Sequence, residues 1–223
     1  MRIEWYGQSA FRLNGDGRSI VIDPFGDMSA LSGDRGLRFD YPAIDPAPAD
    51  LVLITHEHRD HNDHSMITGS PAVLRSTAGR LGSPLGEILA VASEHDDAAG
   101  TLRGPNTIFV FSLEGLRIAH FGDFGQRELR EEQAAAIGAV DLLFLPVGGG
   151  PTIGAHEAAA ITARLRPSFV VPMHYRTERI SFLEPADEFL ALIGASRLLD
   201  ETSFELAGGE RADTPVAVVP RSP

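Results

Sequence analysis

The 223-residue chain has no cysteine and no lysine; all 19 of its basic side chains are arginine. The first absence removes thiolate nucleophiles, disulfides, iron–sulfur clusters and thiolate metal ligands, and the second removes Schiff-base chemistry. Any metal must therefore be held by His, Asp, Glu and water. Positive charge is scarce overall, since 31 acidic residues leave a formal net charge of −12. A broad nucleic-acid or anionic-membrane surface is excluded on that ground, because both need basic patches that neutralise phosphates. Long apolar runs are missing too. None approaches the length of a membrane helix, and the start Met1-Arg2-Ile3-Glu4-Trp5 lacks the basic and apolar regions of a signal peptide. The expectation is a cytoplasmic protein acting on a small molecule, without nucleic-acid or membrane partners and with self-association left open.

What is present reads as a β-rich single domain over residues 1–223. Short strands are expected at Arg2–Tyr6, Ala10–Leu13 and Ser19–Ile22, with Asn14-Gly15-Asp16-Gly17 turning between the last two. Residues 26–50, rich in Gly, Asp and Pro, read as a long loop. Further strands follow at Leu51–Ile54, Glu87–Ala92, Asn106–Leu113, Leu116–Phe121, Val140–Pro146 and Ser168–Val171. Helices are expected at Glu128–Ile137, Ala155–Leu165 and Pro185–Ile193, and the tail from about residue 208 is expected to fray.

The chemistry concentrates in Thr55-His56-Glu57-His58-Arg59-Asp60-His61, three imidazoles and a carboxylate packed directly after the apolar run Leu51-Val52-Leu53-Ile54. Imidazole nitrogen and carboxylate oxygen suit zinc, manganese or iron, and two histidines two apart on an extended turn can converge on one ion while the next Asp-His pair faces a second. The pattern recurs along the chain. Four apolar strands end in a potential ligand: His56, His95, Asp123 and His174. Loops at strand ends bring residues distant in sequence to one edge of a sheet.

The chain resembles the metallo-β-lactamase-fold hydrolases, and within them the branch that includes L-ascorbate-6-phosphate lactonase-like proteins. The likeness lies in Trp5-Tyr6-Gly7 with Ala10-Phe11, Ile22-Asp23-Pro24-Phe25, the His-rich motif, Arg103-Gly104 with Asn106, His120-Phe121-Gly122-Asp123, Pro146-Val147-Gly148-Gly149 and Pro172-Met173-His174-Tyr175. It implies an α/β (α+β) fold, a four-layer αββα sandwich with a dinuclear site along one edge. It also implies that His56, His58 and His95 hold one divalent ion, that Asp60, His61 and His174 hold the other, and that Asp123 bridges them, with zinc expected ahead of manganese or iron. Gln8 stands where such proteins often carry histidine, and Asn62 follows His61 where glycine is common.

His64, His120 and His156 compete with His95 for the third position on the first ion, each being read as a solvent-facing or core histidine instead. Asp23 fits either turn chemistry or support of a ligand loop, and Asp141 turn chemistry. Arg103, Asn106, Tyr175 and Arg176 are candidate substrate contacts: arginine offers a fork for phosphate or carboxylate, and a tyrosine beside a ligand can donate to an oxyanion. Gly148-Gly149-Gly150 reads as a tight loop. The function expected is metal-dependent hydrolysis of a small anionic lactone or phosphorylated sugar acid, with Asp60 orienting the nucleophile or carrying a proton. Phosphodiester or nucleic-acid cleavage and a non-catalytic metal protein are the alternatives.

Overall fold

Apolar residues at every second position of β1 (Arg2–Gly7) turn Ile3 and Trp5 inward and leave Arg2, Glu4 and Tyr6 toward the surface, the signature of a half-buried strand. The computed structural model of the protein describes residues 1–28 and 37–223; part of the expected loop at 26–50 lies outside them. β2 (Ala10–Gly15) returns along β1, and β3 (Arg18–Ile22) follows after the Asp16-Gly17 turn, both of whose residues have positive φ. Such a turn matches the twist of the strands it joins.

β3 then pairs in parallel with β5 (Leu51–Ile54), and β5 with β7 (Ala72–Arg75). β15 (Ser203–Glu205) closes the β1 side, giving a six-stranded sheet in the order β15-β1-β2-β3-β5-β7. A short sheet pairs β4 (Ala47–Pro48) with β6 (Ile67–Thr68).

The second large sheet starts with three antiparallel strands, β8 (Gly79–Ser83), β9 (Gly86–Glu94) and β10 (Pro105–Leu113), joined by β11 (Leu116–His120). From there it is parallel through β12 (Leu142–Pro146), β13 (Phe169–Met173), β16 (Val216–Val219) and β14 (Ser196–Leu198). β12 and β13 are buried along their whole length, as continuous apolar strands covered on both faces must be. The run Val216–Val219, in the tail expected to fray, lies between β13 and β14 in this eight-stranded sheet. Its backbone groups are committed to both neighbours.

The core sits between the two sheets. Phe11 of β2 meets Phe144 of β12 with ring centroids 4.6 Å apart. The three described helices, α1 (Glu131–Ile137), α2 (Ala155–Leu165) and α3 (Asp187–Ile193), pack on β9, β12 and β16 of the larger sheet. The outer face of the six-stranded sheet is covered differently. Val21, Val52 and Ile54 are capped there by Ile67 and Met66, from the short sheet and its approach. The fold is thus the expected mixed α/β sandwich, with the helices of the described residues on one side. No helix among them is long and apolar enough to cross a membrane.

Candidate metal centre

Strand direction explains how the site assembles. In the larger sheet β9 and β11 run the same way with β10 between them, and β12 and β13 continue that direction. Their C-terminal ends share one edge, and His95, Asp123 and His174 follow there. In the smaller sheet β1, β3 and β5 likewise share a direction, placing Gln8, Asp23 and the His-rich loop at their ends.

Donor atoms of His56, His58 and His95 lie within 4.8 Å of one another, and so do those of Asp60, His61, Asp123 and His174. Asp123 is central. Its Oδ2 is 3.1 Å from His95 Nε2, 3.2 Å from both His61 Nε2 and His174 Nε2, and 3.9 Å from His56 Nε2. Its other oxygen, Oδ1, accepts from the Ser9 hydroxyl at 3.2 Å. The His56 and His58 rings approach with Nε2 and Nδ1 3.1 Å apart.

The donor set fits a divalent metal. It offers only imidazole and carboxylate, and His61 Nε2 is buried without a hydrogen-bond partner among the described residues although carboxylates surround it. A lone pair shielded from water and aimed among anions needs a cation, either a proton or a metal. The electrostatics of the metal-free site agree. Burial pushes His56 down to about 2, helped by neighbouring His61, and burial with the nearby His95 lowers His58; both imidazoles are neutral and ligand-competent. Burial also opposes a charge on His61, but Asp123, Asp60 and Asp23 outweigh it and hold this imidazole well above its ordinary range. Asp123 pays a similar desolvation cost, overcome by His174 and His61, and stays far below the usual carboxylate range.

A third grouping of donor atoms joins Asp23 to His56 and His61, but Asp23 has other work. Its carboxylate takes the backbone N–H and the hydroxyl of Thr55, each at 2.7 Å, and faces His61 Nδ1 at 3.0 Å. It orients the imidazole from behind, a common arrangement for histidine ligands. Thr55 Oγ1 does the same at His56 Nδ1, 3.0 Å away, and Thr152 Oγ1 lies 3.4 Å from His174 Nδ1. Gln8, Asp23 and His174 all sit at positive φ, so three strand-end residues at the centre adopt a conformation that side chains rarely take.

The rivals of His95 lie elsewhere. His120 is buried and spent within the protein, Nε2 on the Ser9 carbonyl and Nδ1 accepting from Gly122 N–H. His156 is exposed and pairs with Glu188 at 3.1 Å. His64 belongs to neither group of donor atoms.

Three of the four expected substrate contacts are differently employed. Asn106 is buried, its Nδ2 donating to Ser93 Oγ and the Phe121 carbonyl and its Oδ1 accepting from Asp123 N–H at 3.1 Å. It shapes the Asp123 turn, and neither amide end is left for a substrate. Tyr175 is buried with its ring stacked on Trp5, centroids 5.6 Å apart, and burial raises its hydroxyl. Arg176 staples its own loop, Nε donating to the Leu183 carbonyl at 2.5 Å. Arg103 is exposed and lines a cavity of about 630 Å³ together with Thr152 and Gly149. Gly149 and Gly150 form a tight loop with positive φ, closed by Thr152 N–H on the Gly149 carbonyl, and Asp141 accepts from Arg117 N–H.

Comparison with known proteins fits this geometry. Residues 2–174 match the model of the β-lactamase superfamily domain. A UPF0173 metal-dependent hydrolase of Thermococcus onnurineus is 31% identical, the alignment covering 87% of this chain and 92% of the relative. The chain belongs to the UPF0173 metal-dependent hydrolases of the metallo-β-lactamase superfamily. Another member, from Pyrococcus furiosus, is also 31% identical with the same coverage. A solved structure of a metallo-β-lactamase superfamily protein from Thermotoga maritima superposes with a TM-score of 0.77 at 31% identity, over 99% of both chains. This UPF0173 chain thus has its family's fold together with a His/Asp cluster suited to metal. Sequence reasoning left Asp23 open and did not single out Thr55, Ser9 or Thr152. Position at the ends of like-directed strands was the available signal for Asp23, and none marked Thr152.

Proposed function

We propose that the chain hydrolyses a lactone, ester or phosphoester bond of a small molecule at a centre of two divalent ions. The observation that carries this reading is the position of Asp123 Oδ2, within 3.1 to 3.9 Å of imidazole nitrogens from both donor groups. His56, His58 and His95 would hold one ion, Asp60, His61 and His174 the other, with Asp123 shared; zinc is the first candidate, ahead of manganese and iron.

Ions so held would supply a nucleophile from water near neutral pH and would polarise the oxygen of the scissile bond. The protein's own part is to keep His56 and His58 neutral and the ligand rings fixed. Asp23 and Thr55 set two of the rings, Ser9 and Asn106 set Asp123, and Asp60, only partly buried, would orient the nucleophile or carry its proton. Gln8 Nε2 reaches Asp60 Oδ2 at 3.5 Å, and Gln8 Oε1 is buried with no hydrogen-bond partner among the described residues, an acceptor available to a ligand donor. The net charge of −12 favours a small substrate over an extended polyanion, and Arg103 offers a local cation for an anionic group. A lactone or phosphorylated sugar acid meets both conditions.

The test combines metal analysis of the purified protein with a parallel screen of lactones, esters, phosphomonoesters and oligonucleotides. Two equivalents of metal and metal-dependent turnover of a small lactone or phosphoester are expected. One equivalent at saturation rejects the dinuclear centre, and faster turnover of oligonucleotides than of every small substrate rejects the substrate class.

A further inference from the structure

Gln8 brings to the metal centre a buried oxygen that pairs with nothing in the chain described. The residue is 1% exposed, its Nε2 is turned to Asp60 Oδ2 at 3.5 Å, and its Oε1 has no hydrogen-bond donor among the described residues. Charge fixes which way the amide faces. Turned over, its oxygen would meet the Asp60 carboxylate, acceptor against acceptor, and its N–H groups would lose their partner. Burying a carbonyl oxygen without a donor costs about 1–3 kcal/mol, so a ligand that supplies the donor recovers that cost on binding.

The backbone holds the oxygen in place. β1 shifts register against β2 between Trp5 and Gly7, and Gly7, at φ 107°, passes where a Cβ would strike the Tyr41 ring. Gln8 follows at φ 49°. Left-handed backbone at a glutamine is uncommon and persists where the surroundings over-determine it. Here they do: the Gln8 carbonyl accepts from Trp5 Nε1 at 3.0 Å and from His174 N–H at 3.3 Å, and Trp5 is itself buried and stacked on Tyr175. Gln8 is thus tied through its backbone to His174 and through its side chain to Asp60, two members of one donor group.

The chemistry of the oxygen selects its partner. An amide carbonyl accepts a hydrogen bond without taking the proton, whereas a carboxylate such as Asp60 does both. Water that attacks a carbonyl must give up a proton, so the carboxylate suits that water and the amide suits a hydroxyl that keeps its hydrogen throughout the reaction. Position narrows the choice. An oxygen buried beside Asp60 is within reach only of a group carried into the centre with the scissile carbonyl itself. We propose that Gln8 Oε1 accepts a hydrogen bond from a hydroxyl on the carbon adjoining that carbonyl, so that the substrate is an α-hydroxy lactone or ester. The assignment rests on the hydrolase reading and names the substituent that the site selects.

Two measurements test it on the metal-loaded, full-length chain, using Gln8→Met and Gln8→Leu, which remove the acceptor at similar side-chain size. Circular dichroism and metal content verify that each variant is folded and loaded; an equivalent of metal lost from both folded variants would make Gln8 a metal ligand and overturn the proposal. The first measurement is calorimetric binding of glycolate and of acetate, which differ by one hydroxyl beside the carboxylate. The ratio of the two affinities is expected to fall about tenfold from parent to variants, the loss of one hydrogen bond, and an unchanged ratio overturns the proposal. The second is hydrolysis of α-hydroxy-γ-butyrolactone, β-hydroxy-γ-butyrolactone and γ-butyrolactone. In the parent kcat/KM should be about tenfold or more higher for the α-hydroxy compound, and in both variants it should drop to the level of the other two. Equal losses on all three lactones would give the oxygen to the attacking water and overturn the proposal, as would a parent preference for the β-hydroxy isomer. A glycolate preference that both variants lose, with no lactone turned over, upholds the hydroxyl site and counts against the hydrolase reading instead.

Discussion

Asp23 Oδ2 lies 3.0 Å from His61 Nδ1, and both side chains are completely buried. The carboxylate also takes the Thr55 N–H and hydroxyl, so it fixes the ring from a position that is itself fixed. Removing it frees the imidazole to rotate and leaves its Nδ1 without an acceptor. On the proposed ligand assignment, Asp23→Ala is therefore expected to weaken the equivalent of metal assigned to Asp60, His61 and His174 by about 10- to 100-fold, while the other equivalent binds nearly as before. Isothermal calorimetry with zinc resolves the two; equal losses at both would show that Asp23 acts on the whole centre.

Asp123→Ala removes the oxygen shared by both donor groups and is expected to weaken both equivalents and abolish metal-dependent turnover. His156→Ala is the contrast. That imidazole is exposed and pairs with Glu188, an interaction worth about 0–1 kcal/mol, so metal content and activity should stay at parent levels. Metal lost from His156→Ala but retained by His95→Ala would reverse the ligand assignment.

Gly125 is the point where the loop after Asp123 crosses the backbone of His95; a Cβ there would collide with the His95 carbonyl group and with Asp96 N. Backbone cannot swing aside as a side chain can. Gly125→Ala is expected to cost about 1–3 kcal/mol of stability and to reduce metal affinity by displacing His95. Thermal denaturation followed with and without zinc measures both effects, and a parent-like melting temperature in each condition would refute the close approach.

Metal binding should release protons. The carboxylates around His61 hold its pKa above 6.5 in the metal-free protein, so that proton stabilises the metal-free fold fully below the unfolded value and the contribution is lost as pH rises through the raised one. A metal needs Nε2 unprotonated. Across that window apparent affinity should rise with pH by about tenfold per unit for one displaced proton. Calorimetry in buffers of different ionisation enthalpy counts the protons directly, and buffer-independent heats would contradict the shared proton.

Much of this was legible in the sequence where one physical signal dominated. Leu51–Ile54 and Ala155–Leu165 appear with the expected bounds, because an unbroken apolar run and a 3.6-residue period leave little choice. The helix expected from Glu128 begins at Glu131 instead, since Arg130 is extended and its N–H is taken by Gln133 Oε1. β7 and β8 were not foreseen; both are edge strands, and Gly79, Arg80 and Gly82 make β8 read as loop. Asn106, expected among the substrate contacts, has partners that the sequence alone does not show: Phe121 and Asp123 are 15 and 17 residues away, brought near by the β10–β11 pairing.

The place of β16 gives the sheet an order of completion. Residues 216–219 fill the gap between β13 and β14, so during synthesis β13, the strand that delivers His174, presents an open edge until residues 216–219, more than forty positions later, have emerged. An open parallel edge is a template for any passing strand. Nascent chains halted before residue 216 should consequently associate with one another, and the same arrangement would delay maturation of the metal centre until β16 has emerged from the ribosome.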